Sequence, residues 1–247
     1  GYLGAIVPMI ILPYYCVIGG WVTKYFWAFT SGQAGASASD SFFSDFIARP
    51  AEPVLWFALF LGLTAIVVML GVEKGIESVS KVMMPVLVVL SVIVAAYSAF
   101  LPGAKAGILY YILPDFKKFS PTTVLAAMGQ MFYSMSIAMG IMITYGSYMK
   151  KDVNLESSVK QIELFDTGIA FLAGFMIIPA VFVFSGGNSE ALGKGPSLMF
   201  VTLPKVFESM KGGTIIGWLF FLLVFFAALT SSISLMETVV SIVCDKA

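Results

Sequence analysis

Pro121-Thr122-Thr123-Val124-Leu125-Ala126-Ala127-Met128-Gly129-Gln130-Met131-Phe132-Tyr133-Ser134-Met135-Ser136-Ile137-Ala138-Met139-Gly140 opens a stretch that continues to Met149 without one charged residue. As a helix it is long enough to cross the roughly 30 Å apolar layer of a bilayer, which takes about 20 residues. Its middle is polar, however: Gln130, Tyr133, Ser134 and Ser136 stand where a simple spanning helix carries Leu. Polar groups at that depth must be satisfied within the protein, because lipid offers them no partner. Two readings remain open from these residues alone. In one the helix is continuous and its hydroxyls bond to the preceding turn; in the other its middle serves a site.

The composition places that stretch in a membrane protein. Of 247 residues 59% are hydrophobic and 11% charged, far from the soluble average, and the formal net charge is zero. A neutral chain with a few scattered lysines has no footprint for nucleic acid. The two cysteines, Cys16 and Cys244, stand in or beside apolar segments and offer no loop disulfide. Neither Asn154 nor Asn188 begins a glycosylation sequon, which fits a bacterial inner membrane. The chain starts at Gly1-Tyr2-Leu3 and runs at once into apolar sequence, so an internal piece of a longer protein is expected.

Six spans are predicted, at about 5–30, 54–70, 83–101, 121–149, 162–184 and 213–243, in one all-α membrane domain. The first carries Pro8 and Pro13, which free backbone carbonyls. Trp21, Tyr25, Phe26 and Trp27 read as an aromatic belt. Residues 31–53 read as an aqueous loop with a short amphipathic helix at 42–47, and residues 185–211 as a surface hairpin or lid. The short links hold Lys74, Lys81, Lys150, Lys151 and Lys160, and their density assigns that side to the cytoplasm.

The inventory for catalysis is poor. Without histidine there is no Ser-His pair and no histidine metal site, and Gly193-Lys194-Gly195 lacks the spacing of a phosphate loop. What remains is a set of oxygens at mid-membrane: the hydroxyls of Tyr15, Ser134, Ser136, Thr230 and Ser231, the Gln130 amide and the Asp166 carboxylate. Oxygen ligands suit a small hard cation such as sodium. An ionisable group inside a span is costly, about 2.5–3.5 kcal/mol on the milder scales, and so marks Asp166 as a functional candidate.

Gly129 to Ser136 together with Met142-Ile143-Thr144-Tyr145-Gly146-Ser147-Tyr148 resembles the sixth helix of the neurotransmitter:sodium symporter family. Phe200-Val201-Thr202-Leu203-Pro204 and Phe226-Ala227-Ala228-Leu229-Thr230-Ser231-Ser232 look like its fourth outer loop and eighth helix. Gly75-Ile76-Glu77 stands where the family links helices four and five, and Tyr14-Tyr15 where it has the tyrosines of helix three. The resemblance covers the whole chain as helices three to eight of about twelve.

It implies a partial LeuT-type inverted-repeat fold with the sixth helix broken near 134–139, and sodium-coupled symport of a neutral amino acid by alternating access. Tyr133, Ser134 and Ser136 would offer carbonyls to the substrate amino group, and Tyr15 would hold its carboxylate. Ile11, Tyr133, Met139 and Leu235 would line the side-chain pocket. One sodium ion would use Ser134 and Asp166; a second would use the Ala227 carbonyl with Thr230 and Ser231. Helices outside this chain would complete both sites.

Asp166 replaces an Asn common in the family, and Ala170 stands where chloride-dependent members have Ser, so chloride is not expected to be required. Met139 replaces a Phe found in relatives that take small substrates, and its flexibility favours a bulky hydrophobic or aromatic amino acid. A cation or solute channel and a non-transporting amino-acid-binding protein of the same fold are the alternatives.

Overall fold

The computed structural model describes residues 2–151, 153–188 and 195–245. Asp152, the tract at Gly193-Lys194 and the closing Lys246-Ala247 lie outside them. Eleven α-helices are found among the described residues: α1 Tyr2–Thr30, α2 Ala34–Ser37, α3 Phe42–Ala48, α4 Glu52–Met69, α5 Ser78–Ala99, α6 Lys105–Ile112, α7 Pro121–Ser134, α8 Ile141–Ser147, α9 Leu155–Phe184, α10 Leu203–Ser209 and α11 Gly213–Cys244. The all-α expectation is borne out.

Among the described residues five stretches are long and apolar enough to cross a membrane: Gly4–Thr30, Glu52–Met69, Gly75–Ala99, Leu155–Phe184 and Gly213–Cys244. The sixth predicted span is two helices, α7 and α8, separated by six residues without helical structure. Some ends differ from the apolar runs because backbone chemistry sets them. α9 begins seven residues before the predicted 162, where the Asn154 side chain accepts the Ser157 amide at 3.1 Å and caps the first turn. α5 begins at Ser78 after a wide π-turn, Val72–Glu77, and carries Pro85 inside it rather than near its start. α7 opens on a capping box between Ser120 and Thr123, with Pro121 at its first turn.

The larger core cluster draws on α1, α5, α9, α10 and α11, while α4 packs against α1 and α11. Tyr25, Phe29, Phe200 and Phe221 form its aromatic centre, with Tyr25 stacked on Phe221 at 5.3 Å between ring centroids. Tyr25 therefore does not sit in a surface belt. It is fully buried, and its hydroxyl donates to the Phe200 carbonyl at 2.6 Å, which lets the phenol lie in an apolar core. Trp27 alone of the predicted belt is more than half exposed, at 54%.

The same bond corrects the surface-hairpin reading of 185–211. Its described second half is a π-turn, Leu198–Thr202, running into α10, and Phe200, Leu203, Val206 and Phe207 are buried against α1 and α11. The polar character that suggested a surface segment belongs to residues 185–197. Phe-Val-Thr-Leu-Pro is instead a helical plug whose apolar residues fill the bundle end.

α1 and α4 approach closely. A Cβ on Gly20 would lie 2.7 Å from the Phe57 amide nitrogen and 2.9 Å from the Trp56 carbonyl carbon, so only glycine lets these backbones pack. Deeper in, the hydroxyls of Thr64 and Ser232, both buried, bond at 2.8 Å and tie α4 to α11.

Candidate functional site

The break between α7 and α8 has a defined geometry. Ser136 and Ala138 take left-handed backbone angles, φ 56° and 66°, and Gly140 follows at φ 78°. Ser136 occupies the position after the helix end where glycine is usual. The Ser136 amide donates to the Tyr133 carbonyl at 3.1 Å and the Ile137 amide to the Phe132 carbonyl at 2.9 Å, which closes α7. Gly140 then opens α8: its carbonyl accepts the amides of Ile143 and Thr144 at 3.1 and 3.0 Å. A Cβ there would also press on the Gly4 carbonyl of α1 at 3.2 Å.

Two non-glycine residues in this conformation cost on the order of 1–2 kcal/mol each. In return the turn releases backbone oxygens. Among the described residues the carbonyls of Ser134, Met135, Ser136, Ile137 and Ala138 accept no backbone hydrogen bond. Such a group of unpaired acceptors at membrane depth belongs beside a cavity or a cation.

A cavity of about 430 Å³ lies against this turn. All seven residues expected to bind substrate, Ile11, Tyr15, Tyr133, Ser134, Ser136, Met139 and Leu235, line it, as do Thr230 and Ser231. The helical period explains the convergence on α11, since Thr230, Ser231, Ser234 and Leu235 are spaced to share one face. Met139 and Leu235 are buried and form a small apolar cluster with Ile141, against which Ile11, Tyr15 and Tyr145 pack.

Asp166 and Ala227 are not among the lining residues but are hydrogen-bonded to two that are, Ser134 and Thr230. The Ser134 hydroxyl donates to Asp166 Oδ2 at 3.1 Å and to its own helix, at Met131, at 3.3 Å. Thr230 donates to the carbonyls of Phe226 and Ala227 at 3.1 and 3.0 Å, so here the hydroxyl satisfies its own helix, while Ser231 stays exposed towards the cavity beside the Tyr15 phenol. The paired oxygens of Ser134 with Asp166, and of Thr230 with Ala227, supply hard donors of the kind an alkali cation takes. Among the described residues there is no cluster of three or more His, Cys, Asp or Glu side chains.

Sequence reasoning missed part of the wall. Ser80 and Met84 of α5 line the cavity, although this segment reads as the entrance to a span. Nothing in its pattern distinguishes it. Tyr145 and Ser234 also line the cavity, and their hydroxyls bond at 3.0 Å. Ser234 was discoverable from its three-residue spacing to Ser231. Just outside the cavity wall, the Tyr148 hydroxyl donates to Oε1 of the buried Glu237 at 2.6 Å.

The profile of the Sodium:neurotransmitter symporter family matches residues 42–247. The chain is 37% identical over 244 residues to an uncharacterized sodium-dependent transporter, YhdH, of Bacillus subtilis, covering 98% of the chain and 53% of that protein. It is 35% identical over 253 residues to an uncharacterized sodium-dependent transporter of Haemophilus influenzae, with 100% and 54% covered. The sodium-dependent serotonin transporter of Drosophila melanogaster is 27% identical over 207 residues, 80% of this chain and 33% of that one. Among solved structures, MhsT in complex with L-phenylalanine superposes with a TM-score of 0.85 at 41% identity, over 96% of this chain and 54% of that one. The chain thus spans about half the length of these bacterial relatives, and the expected LeuT-type arrangement with a broken sixth helix is borne out.

Proposed function

The chain belongs to the sodium:neurotransmitter symporter family, and from that premise we propose that it supplies the substrate cavity of a sodium-coupled amino-acid symporter. The observation that carries the reading is the convergence of unpaired break carbonyls, the Tyr15 phenol and the Ser134–Asp166 pair on one cavity of about 430 Å³. Carbonyl oxygens at Ser134 and Ser136 suit an ammonium group, and Tyr15 suits a carboxylate. Ile11, Tyr133, Met139 and Leu235 then receive the side chain. A bulky hydrophobic or aromatic amino acid fits this lining, and the complex of MhsT with L-phenylalanine supports that choice.

Sodium is bound in two places on this reading. Ser134 and Asp166 contribute to one, and Ala227, Thr230 and Ser231 to the other. The Asp166 carboxylate supplies the negative charge that otherwise calls for chloride, so transport proceeds without it. Helices beyond this chain cover α7, which among the described residues has no buried side chain, and complete both ion sites. The protein resides in a bacterial inner membrane as one polytopic domain with its short lysine-bearing links inside.

The energetics are adequate. Moving one charge through 100 mV is worth roughly 2.3 kcal/mol, so two sodium ions with a neutral zwitterion supply about 4.6 kcal/mol, on the order of a thousandfold accumulation. The test is uptake of a radiolabelled amino-acid panel by the full polypeptide in vesicles, with sodium replaced by potassium. Accumulation above equilibrium, dependent on sodium and selective for large apolar side chains, is expected. Uptake that never exceeds equilibrium would identify a channel, and sodium-dependent binding without uptake a receptor-like protein.

A further inference from the structure

We propose that the hydroxyl pair of Tyr145 and Ser234 determines specificity at the far end of the cavity, by accepting a hydrogen bond from an N–H or O–H on the tip of the substrate side chain. The preferred substrates are then tryptophan-like and tyrosine-like amino acids, over isosteres that lack the donor. This rests on the amino-acid reading of the same cavity.

Ser234 has one hydroxyl proton, and it goes to the Thr230 carbonyl at 3.2 Å. With that proton on the carbonyl, Tyr145 is the donor in the 3.0 Å contact between the two hydroxyls, where the geometry allows either. With that proton spent, the Tyr145 oxygen retains lone pairs, and among the described residues nothing donates to them. In that arrangement the pair can accept and has no proton left to donate. It therefore distinguishes a ligand tip with a proton to give from one without.

Its place in the cavity suits a side-chain tip. Ser234 lies three residues beyond Ser231 on the same face of α11, about 4.5 Å further along the helix axis. Tyr145 packs against the apolar cluster of Met139, Ile141 and Leu235. A side chain lying along that cluster can reach the hydroxyl pair, while its ammonium and carboxylate stay with the α7 break and Tyr15. The neighbouring Glu237 carboxylate does not line the cavity, and Tyr148 holds it at 2.6 Å.

A hydrogen bond of this kind is worth roughly fivefold to tenfold in affinity. The experiment is displacement of radiolabelled L-tryptophan from the full-length protein in sodium chloride, comparing L-tryptophan with 3-benzothienyl-L-alanine, and L-tyrosine with 4-fluoro-L-phenylalanine. Each pair keeps its shape and loses its donor. The donor-bearing member is expected to bind roughly five to ten times more tightly, with the ratio falling towards one in Tyr145→Phe. A wild-type ratio near one overturns the proposal whether or not the variant folds, and so does a ratio unchanged in Tyr145→Phe. Sodium-dependent binding with no donor preference leaves the amino-acid reading standing; no sodium-dependent binding of any aromatic amino acid overturns both.

Discussion

The Ser134 hydroxyl donates to Oδ2 of Asp166 across 3.1 Å and joins the last residue of α7 to the middle of α9. It is a side-chain bond between the helix that breaks and a neighbour that does not. A bond to a charged acceptor is worth about 1.5–3 kcal/mol, roughly a 10- to 100-fold change in an equilibrium.

Asp166→Ala is expected to weaken sodium activation of uptake by roughly 10- to 100-fold. Asp166→Asn keeps the acceptor but removes the charge, so its uptake is expected to become chloride-stimulated where the unaltered protein's is not. Sodium titrations of uptake with chloride or gluconate as the counter-ion decide both. Equal sodium dependence in all three proteins would remove Asp166 from the ion site.

The strained turn predicts a stability effect of unusual sign. Glycine within a helix costs roughly 1 kcal/mol relative to alanine. At Ala138, where φ is 66°, Ala138→Gly is instead expected to stabilise by up to about 1 kcal/mol, because the left-handed conformation is free for glycine. Thermal unfolding of the detergent-solubilised protein reads the sign, and a lower midpoint would mean that the helix continues through the turn.

The Thr64–Ser232 bond predicts coupling. Thr64→Val is expected to cost about 1 kcal/mol, and so is Ser232→Ala. The double variant is expected to lose less than the sum, because either change alone already breaks the 2.8 Å link. A denaturation double-mutant cycle measures the difference, with strict additivity as the opposing result.

Two glycines should behave oppositely. Gly20→Ala places a methyl group against the backbone of α4, which cannot swing aside, and is expected to cost roughly 1–3 kcal/mol. Gly62→Ala meets nothing within 4 Å and is expected to be neutral or stabilising. Expression and thermal unfolding of the pair compare the two directly.

Much of this molecule is readable without coordinates because the bilayer leaves few options. An uncharged apolar run of 20 or more residues has to bury its backbone polar groups in a helix, so the long spans follow from hydropathy. The polar centre of 121–140 marks a special segment, and Thr230 and Ser231 show as hydroxyls at mid-span. The family resemblance then names Tyr15, Ser136 and Met139 as neighbours of that centre, and they do line one cavity.

What the chain determines by itself is local: which segments are helical, where caps such as Asn154 start them, and that oxygens occur at membrane depth. Only the tertiary structure decides which oxygens meet. The hydroxyls of Tyr145 and Ser234 are 89 residues apart in sequence and 3.0 Å apart in space, and Ser80 faces the same cavity from a segment with no distinguishing pattern. Tyr25 reads as an interface anchor until its hydroxyl is found donating to the Phe200 carbonyl in the core. The physical reason is common to all three. A hydroxyl's role depends on the partner it reaches, and that partner is set by how whole helices pack.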